Sequence, residues 1–327
     1  MINIKRILCP TDLSTSSEQA LRYALALAAA HHAELILCHR PDARELSRKT
    51  SKSQAIADAL AQGNSIPTFE RALLKFLPPD VLEKLNWSGL LLEGDHVGEA
   101  IAEAASECAA DLIVMRSRRR PHRAALLGSA AESVCRTAPC PVLVTHTDER
   151  DWVQPLTRTI SLQRVLVPYD FSDYSEVALN YALLFARECQ AELHLLHVLP
   201  PQTMNAPEIA IYQKQREVAY HNATRRLKST VPADANLSGS IKHALSEGQP
   251  YREILNYAEK HEIDLISIGA HGAGFGMRAL FGSNVDRVLR QAPCPVLVAR
   301  PLKPAFAENL AREVAAAETN PERLAAR

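Results

Sequence analysis

The chain repeats itself, and the repeat constrains its fold more than any other feature. Arg6-Ile-Leu-Cys-Pro-Thr-Asp12 recurs as Arg164-Val-Leu-Val-Pro-Tyr-Asp170, and each copy continues with an apolar residue and a serine, Leu13-Ser14 and Phe171-Ser172. Ala20, Leu21, Tyr23, Ala24 and Leu25 match Ala178, Leu179, Tyr181, Ala182 and Leu183 at the same offset of 158. Ala33-Glu34-Leu35 matches Ala191-Glu192-Leu193, and near the repeat ends Ala138-Pro-Cys-Pro-Val-Leu-Val144 returns as Ala292-Pro-Cys-Pro-Val-Leu-Val298, at an offset of 154. A short internal period would mean a solenoid. A single repeat this long means two domains of one design, with small insertions in loops.

Each copy reads as strands alternating with helices. Strands are expected at 4–9 and 164–168, 34–39 and 192–198, ~89–93 and ~241–246, 112–115 and 265–268, and 141–145 and 295–299. Helices are expected at 15–31 and 173–189, ~50–62 and ~206–230, 97–109 and 250–261, and 129–136 and 283–290, with Ser14 and Ser172 as N-caps of the first pair. This alternation implies an α/β fold, a parallel sheet with helices on both faces. The domains run 1–146 and 161–300, joined by a linker over 147–160. Residues 301–327 form a charged, Ala-rich tail in which 305–319 reads as a helix and the rest as mobile.

Composition narrows the classes. Apolar residues make up 47% of 327, enough for real cores, and the formal net charge is zero. Nothing global points to nucleic acid or an anionic membrane. No secretory h-region opens the chain and no stretch is long and apolar enough to span a bilayer, so a cytoplasmic protein without a membrane span is expected. The seven cysteines include no CxxC and sit mostly in apolar contexts, as reduced buried thiols would, and no metal site is expected.

The chemistry concentrates after the fourth strand of the second copy. Gly269-Ala-His-Gly272 is followed, nine residues on, by Gly282-Ser283. Glycine lets backbone N–H groups approach an anion closely, and Ser283 stands at the expected start of a helix, where the dipole is positive. Gly272-Ala-Gly-Phe-Gly276 looks superficially like a dinucleotide fingerprint, but it follows the fourth strand and not the first. The first copy keeps the frame and loses the glycines: Arg116 falls at the Gly269 position, Arg119 at the Gly272 position, and eight residues then lead to Gly128-Ser129.

These residues resemble the universal stress protein family in its tandem two-domain form, over 3–145 and 161–300. The resemblance implies two adenine-nucleotide alpha-hydrolase-like (Rossmann-like) domains, each a five-stranded parallel sheet sandwiched by helices. It implies ATP in the second domain, with Asp170 beside adenine and ribose, Val198 supplying backbone contacts to adenine, and Gly269, Gly272, Gly282 and Ser283 holding the phosphates. Asn284 could donate one more N–H, and Mg²⁺ would arrive with the phosphates. The matching segments lie at carboxyl ends of parallel strands, where open α/β sheets build a ligand crevice. The plainer readings stay open: Asp170 may serve a turn or cap, and His271 and Arg278 either touch phosphate or face solvent. In the first copy Asp12 remains, Arg40 replaces Val198, and the Arg116–Arg123 run is either a solvated loop or an anion or partner site. That domain is expected not to bind ATP in the family's way.

No catalytic set is evident: there is no triad geometry to invoke and no Walker lysine. The expected role is a stress or signalling protein whose ATP occupancy alters conformation or partner choice, with slow hydrolysis at most. A weak ATPase and a ligand-free interaction module using the arginine loop are the alternatives. The two domains are expected to pack through their final strands as an intramolecular pseudo-dimer, with homodimerisation a further option.

Overall fold

The computed structural model of the chain describes residues 3–41, 67–117, 129–146, 149–154, 159–201, 209–231, 237, 239–272 and 282–300. In the first half the elements are β1 (Arg6–Pro10), α1 (Glu18–His31), β2 (Glu34–His39), α2 (Pro67–Leu73), α3 (Pro79–Leu82), β3 (Trp87–Leu91), α4 (Val97–Glu107), β4 (Leu112–Arg116), α5 (Ser129–Thr137) and β5 (Val142–Thr145). The second half repeats them as β6 (Arg164–Pro168), α6 (Asp173–Cys189), β7 (Glu192–Leu199), α7 (Ile209–Lys228), β8 (Ile241–Glu247), α8 (Pro250–Lys260), β9 (Leu265–Gly269), α9 (Ser283–Gln291) and β10 (Val296–Ala299). The expected strands and most of the helices fall within a few residues of these bounds. The helix expected at ~50–62 and the tail over 301–327 lie outside the described residues.

All ten strands form one sheet, in the order β3-β2-β1-β4-β5-β10-β9-β6-β7-β8. Within each half every pairing is parallel, giving the 3-2-1-4-5 order of a Rossmann-like α/β unit. The halves meet where β5 and β10 run antiparallel, with Val296 opposite Val144 and Val298 opposite Val142. Alternate residues of the strands feed two apolar layers. Ile7, Cys9, Leu112 and Val114 pack with α1 on one face, while Leu8, Ile113 and Met115 pack with α4 and α5 on the other. Near-continuous apolar strands are what burial on both faces requires.

Two carboxylates that the strand pattern does not reveal brace each half. Asp111 Oδ2 accepts from the Lys5 and Arg6 N–H groups at 2.8 and 2.9 Å, and Asp264 Oδ2 accepts from Gln163 and Arg164 at 2.9 Å each. Each ties the start of a fourth strand to the start of a first. The segment between the halves is packed, not loose. Trp152 is buried against Tyr23 with ring centroids 4.7 Å apart, and Val153 bridges Ile160. Arg300, just past β10, reaches into the first half and donates to the carbonyls of Cys135, Arg136 and Ala138 at the C-terminus of α5. A cation there satisfies orphan carbonyls and complements the helix dipole.

Candidate functional site

The same loop opens a crevice in each half. After β1, Asp12 Oδ1 accepts from the Ser14 N–H at 3.1 Å and the Ser14 hydroxyl at 2.5 Å. After β6, Asp170 Oδ1 accepts from the Ser172 N–H and hydroxyl at the same two distances. The residue between is forced into the left-handed region in both, Leu13 at φ 58° and Phe171 at φ 63°. Neither is glycine, so the side chain outweighs the strain. Phe171 earns its place by packing: it lies 4.7 Å from the His197 ring, edge-on to Tyr169, under the Arg226 guanidinium.

Asp170 thus has the turn role that its sequence allows. Its other oxygen faces the glycine segment. A Cβ on Gly272 would stand 2.9 Å from Asp170 Oδ2, so the structure brings these two predicted residues together. Val198 is half-buried near the end of β7, in register with Ser246 of β8. Ser283 and Asn284 form the first turn of α9, and Gly282 is its N-cap residue. His271 is set edge-on to Tyr174 at 5.0 Å. Burial, and then the charge of Arg300, push its pKa below the usual histidine value, favouring the neutral ring. Arg278 lies outside the described residues, as do Arg119 and Gly128.

The three motif glycines differ in what surrounds them. A Cβ on Gly269 would meet the Tyr174 carbonyl oxygen at 2.6 Å, so this glycine lets α6 sit directly on the end of β9. Gly282 has no such need. A Cβ there would find its nearest neighbour, Val285 Cγ2, at 3.5 Å, and its φ of −58° suits any residue. Among the described residues, a close approach explains the glycine at 269 and none does so at 282.

Arg116 at the Gly269 position brings the Cβ that this close approach excludes. The helix start also differs. Ser172 caps α6, its hydroxyl accepting from the Ser175 N–H at 3.2 Å. Ser14, expected to cap the matching helix over 15–31, makes no such bond. A 3-10 turn over Thr15–Ser17 comes first and α1 begins at Glu18. The first crevice is nonetheless open, and Asp12, Arg40 and Arg116 line it, while Ser129 begins α5 beside it.

One repeated residue escaped the sequence reading. His39 Nδ1 lies 2.8 Å from the Thr11 carbonyl and His197 Nδ1 lies 2.7 Å from the Tyr169 carbonyl. Both rings pin the Asp loop to the end of the second strand. Their shared offset of 158 was the signal that could have revealed them. All seven cysteines are free thiols, and burial raises the pKa of Cys9 and Cys135 to about 12, which leaves neither a ready nucleophile.

Comparison with known proteins agrees with this fold. The model of the universal stress protein family matches residues 3–146 and 161–300. A universal stress protein of Mycolicibacterium smegmatis is 26% identical over 298 residues, covering 90% of this chain and 97% of that protein. One from Methanocaldococcus jannaschii is 30% identical over 139 residues, 42% of this chain and 82% of that protein. Among solved structures, a universal stress protein from Archaeoglobus fulgidus aligns over 90% of this chain and 98% of its own, with a TM-score of 0.56 at 24% identity, and shares the fold.

Proposed function

The chain belongs to the universal stress protein family, and we propose that it binds one ATP per chain, in the crevice of its second half. Asp170 and the Val198 backbone take the nucleoside; Gly272, Gly282, Ser283 and Asn284 cradle the phosphates, with Gly269 shaping the floor and Mg²⁺ accompanying the nucleotide. One observation supports this reading: a Cβ on Gly282 would meet no described atom closer than 3.5 Å. A bare Cα at a helix start, opposite Gly272 and Asp170, leaves room for an anion to approach the backbone.

In this reading the halves divide at 1–146, 147–160 and 161–300, followed by the tail, and act as an intramolecular pseudo-dimer that may be built further into a homodimer. The protein works in the cytoplasm, in stress response or signalling, through nucleotide-dependent conformation or partner choice and with slow hydrolysis at most. No helix among the described residues is long and apolar enough to cross a membrane.

The test is mass spectrometry of ligand released from natively purified protein, with nucleotide counted per chain. The expected result is one ATP or ADP per chain, lost in Gly272→Arg, the exchange that gives the second half the residue of the first. A chain that copurifies with no nucleotide and binds none on titration would overturn the reading.

A further inference from the structure

The first-half crevice is a cavity of about 650 Å³. That is the size of a metabolite pocket, too large for an ion alone. Leu92, Ile101 and Met115 give it an apolar wall. Two guanidinium groups border it from the strands on either side of β1: Arg40, which follows β2, and Arg116, which ends β4. Arg40 is held in place by its Nη1 bond to the Asp95 carbonyl at 3.1 Å. Asp12, Asp95 and Glu99 line the same space, so the lining is not uniformly basic. A bare polyanion would meet these carboxylates. A molecule with hydroxyl donors at one end and one anionic group at the other would satisfy both kinds of lining.

We propose that this cavity is a second ligand site, taking a small organic phosphomonoester with its phosphate on Arg116 and its hydroxylated body along the apolar wall and Asp12. The choice of phosphate rests on the reading of the second half as a phosphate site, because the two crevices occupy the same place in the repeat. A guanidinium fork matches two oxygens of a single terminal phosphate. The same side chain, which replaces Gly269 of the second half, lines the first-half crevice and takes up room that a longer phosphate chain would need. The site therefore selects a monophosphate and rejects a triphosphate.

Calorimetric titration of the full-length Gly272→Arg chain tests this. The probes are adenosine 5′-monophosphate, ribose 5-phosphate, inorganic phosphate and ATP. The expected result is that at least one of the two organic monophosphates binds one per chain, at least tenfold tighter than inorganic phosphate or ATP. Adding Arg116→Gln weakens that binding at least tenfold, Arg116→Lys restores part of it, and the urea midpoint stays put in both. Absence of binding by both organic monophosphates at millimolar concentration, equal affinity for ATP, or an affinity indifferent to Arg116→Gln overturns the proposal. Failure of the second-half reading looks different: wild-type chain would bind no ATP, while monophosphate binding would still depend on Arg116.

Discussion

The two crevices share one loop and differ in what the neighbouring helices do. Asp12–Ser14 and Asp170–Ser172 agree in hydrogen bonds, distances and left-handed backbone. Around that fixed loop the second half packs α6 onto Gly269 and separates α8 from α9 with Tyr251, whose ring lies 4.5 Å from the Arg287 guanidinium. The first half reverses both choices. Arg116 stands at the strand end where a 3-10 turn precedes α1, and Gly98 brings α4 so close to α5 that a Cβ would stand 2.4 Å from Ser133 Cβ. Large and small residues have traded places around an unchanged frame, as close packing demands of any compensated change. The lesson concerns the glycine motif, whose members do different jobs: Gly269 serves the packing of a helix, and Gly282 stands at a helix start with no close approach to the described residues.

The strongest way to break this comparison is to move the first half's residue into the second. Gly269→Arg drives a Cβ into the Tyr174 backbone and should cost about 3 kcal/mol, read as a lower urea midpoint. The reverse exchange, Arg116→Gly, removes a side chain from the end of β4 and should cost about 1 kcal/mol or less. Equal losses would mean that the helix position does not follow from the residue at the strand end. The junction comes next. Arg300 is matched in the repeat by His146, which pairs instead with Glu149 in its own half at 3.5 Å. Arg300→Ala leaves the α5 carbonyls without their cation and should cost about 2 kcal/mol, with faster amide exchange confined to α5 and β5. Protection unchanged there would show the contact to be idle.

Much of this was legible because the chain states its design twice. A strand or turn marked weakly in one copy is confirmed by the other, which is why Arg6-to-Asp12 and Arg164-to-Asp170 fixed the register of everything after them. The illegible parts depend on distance between segments far apart in sequence. Nothing around Gly269 announces that Tyr174 lies behind it, and nothing near Ser14 announces that a 3-10 turn will precede α1. Arg300 looked like a residue at the edge of a charged tail, although its guanidinium serves a helix of the other half. Trp152, in a stretch read as linker, is buried because Tyr23 waits for it. Of the site, the residues were legible and their separate duties were not.

Gly282→Val sharpens the distinction among the glycines. Gly282 is buried at an N-cap, where glycine is preferred to valine, but a Cβ there meets described atoms only at contact distance, so stability should fall by about 1 kcal/mol, less than for Gly269→Arg. ATP affinity should fall about tenfold, or about 1.4 kcal/mol, because the branched methyls enter the anion's approach. A variant that loses stability and keeps its affinity would reverse the duties assigned to Gly269 and Gly282.

The smallest expected effect separates the halves by pH. His194 of β7 is buried, and the matching residue of the first half is Ile36. Its Nδ1 lies 3.0 Å from the Tyr257 hydroxyl and its Nε2 lies 2.9 Å from Glu192 Oε2. The neutral ring suits both partners, Nε2–H donating to the carboxylate and Nδ1 accepting from the phenol. Burial lowers the pKa of His194, opposed by Glu192 and reinforced by Lys242 and His261. Above the unfolded histidine value, about 6.5, the ring is neutral in both states and contributes no pH dependence. Below it the unfolded chain takes up the proton first, so stability falls as the solution becomes more acidic. His194→Ile, which restores the first half's residue, should therefore flatten the fall in urea midpoint between pH 7.5 and 5.5, by an amount on the order of 1 kcal/mol. The corresponding Ile36→Val exchange should leave the pH slope unchanged, since Ile36 carries no ring to titrate. An identical slope in wild type and His194→Ile would mean that the acid sensitivity lies elsewhere, with His31, His243, His261 or His271, whose pKa values burial also lowers.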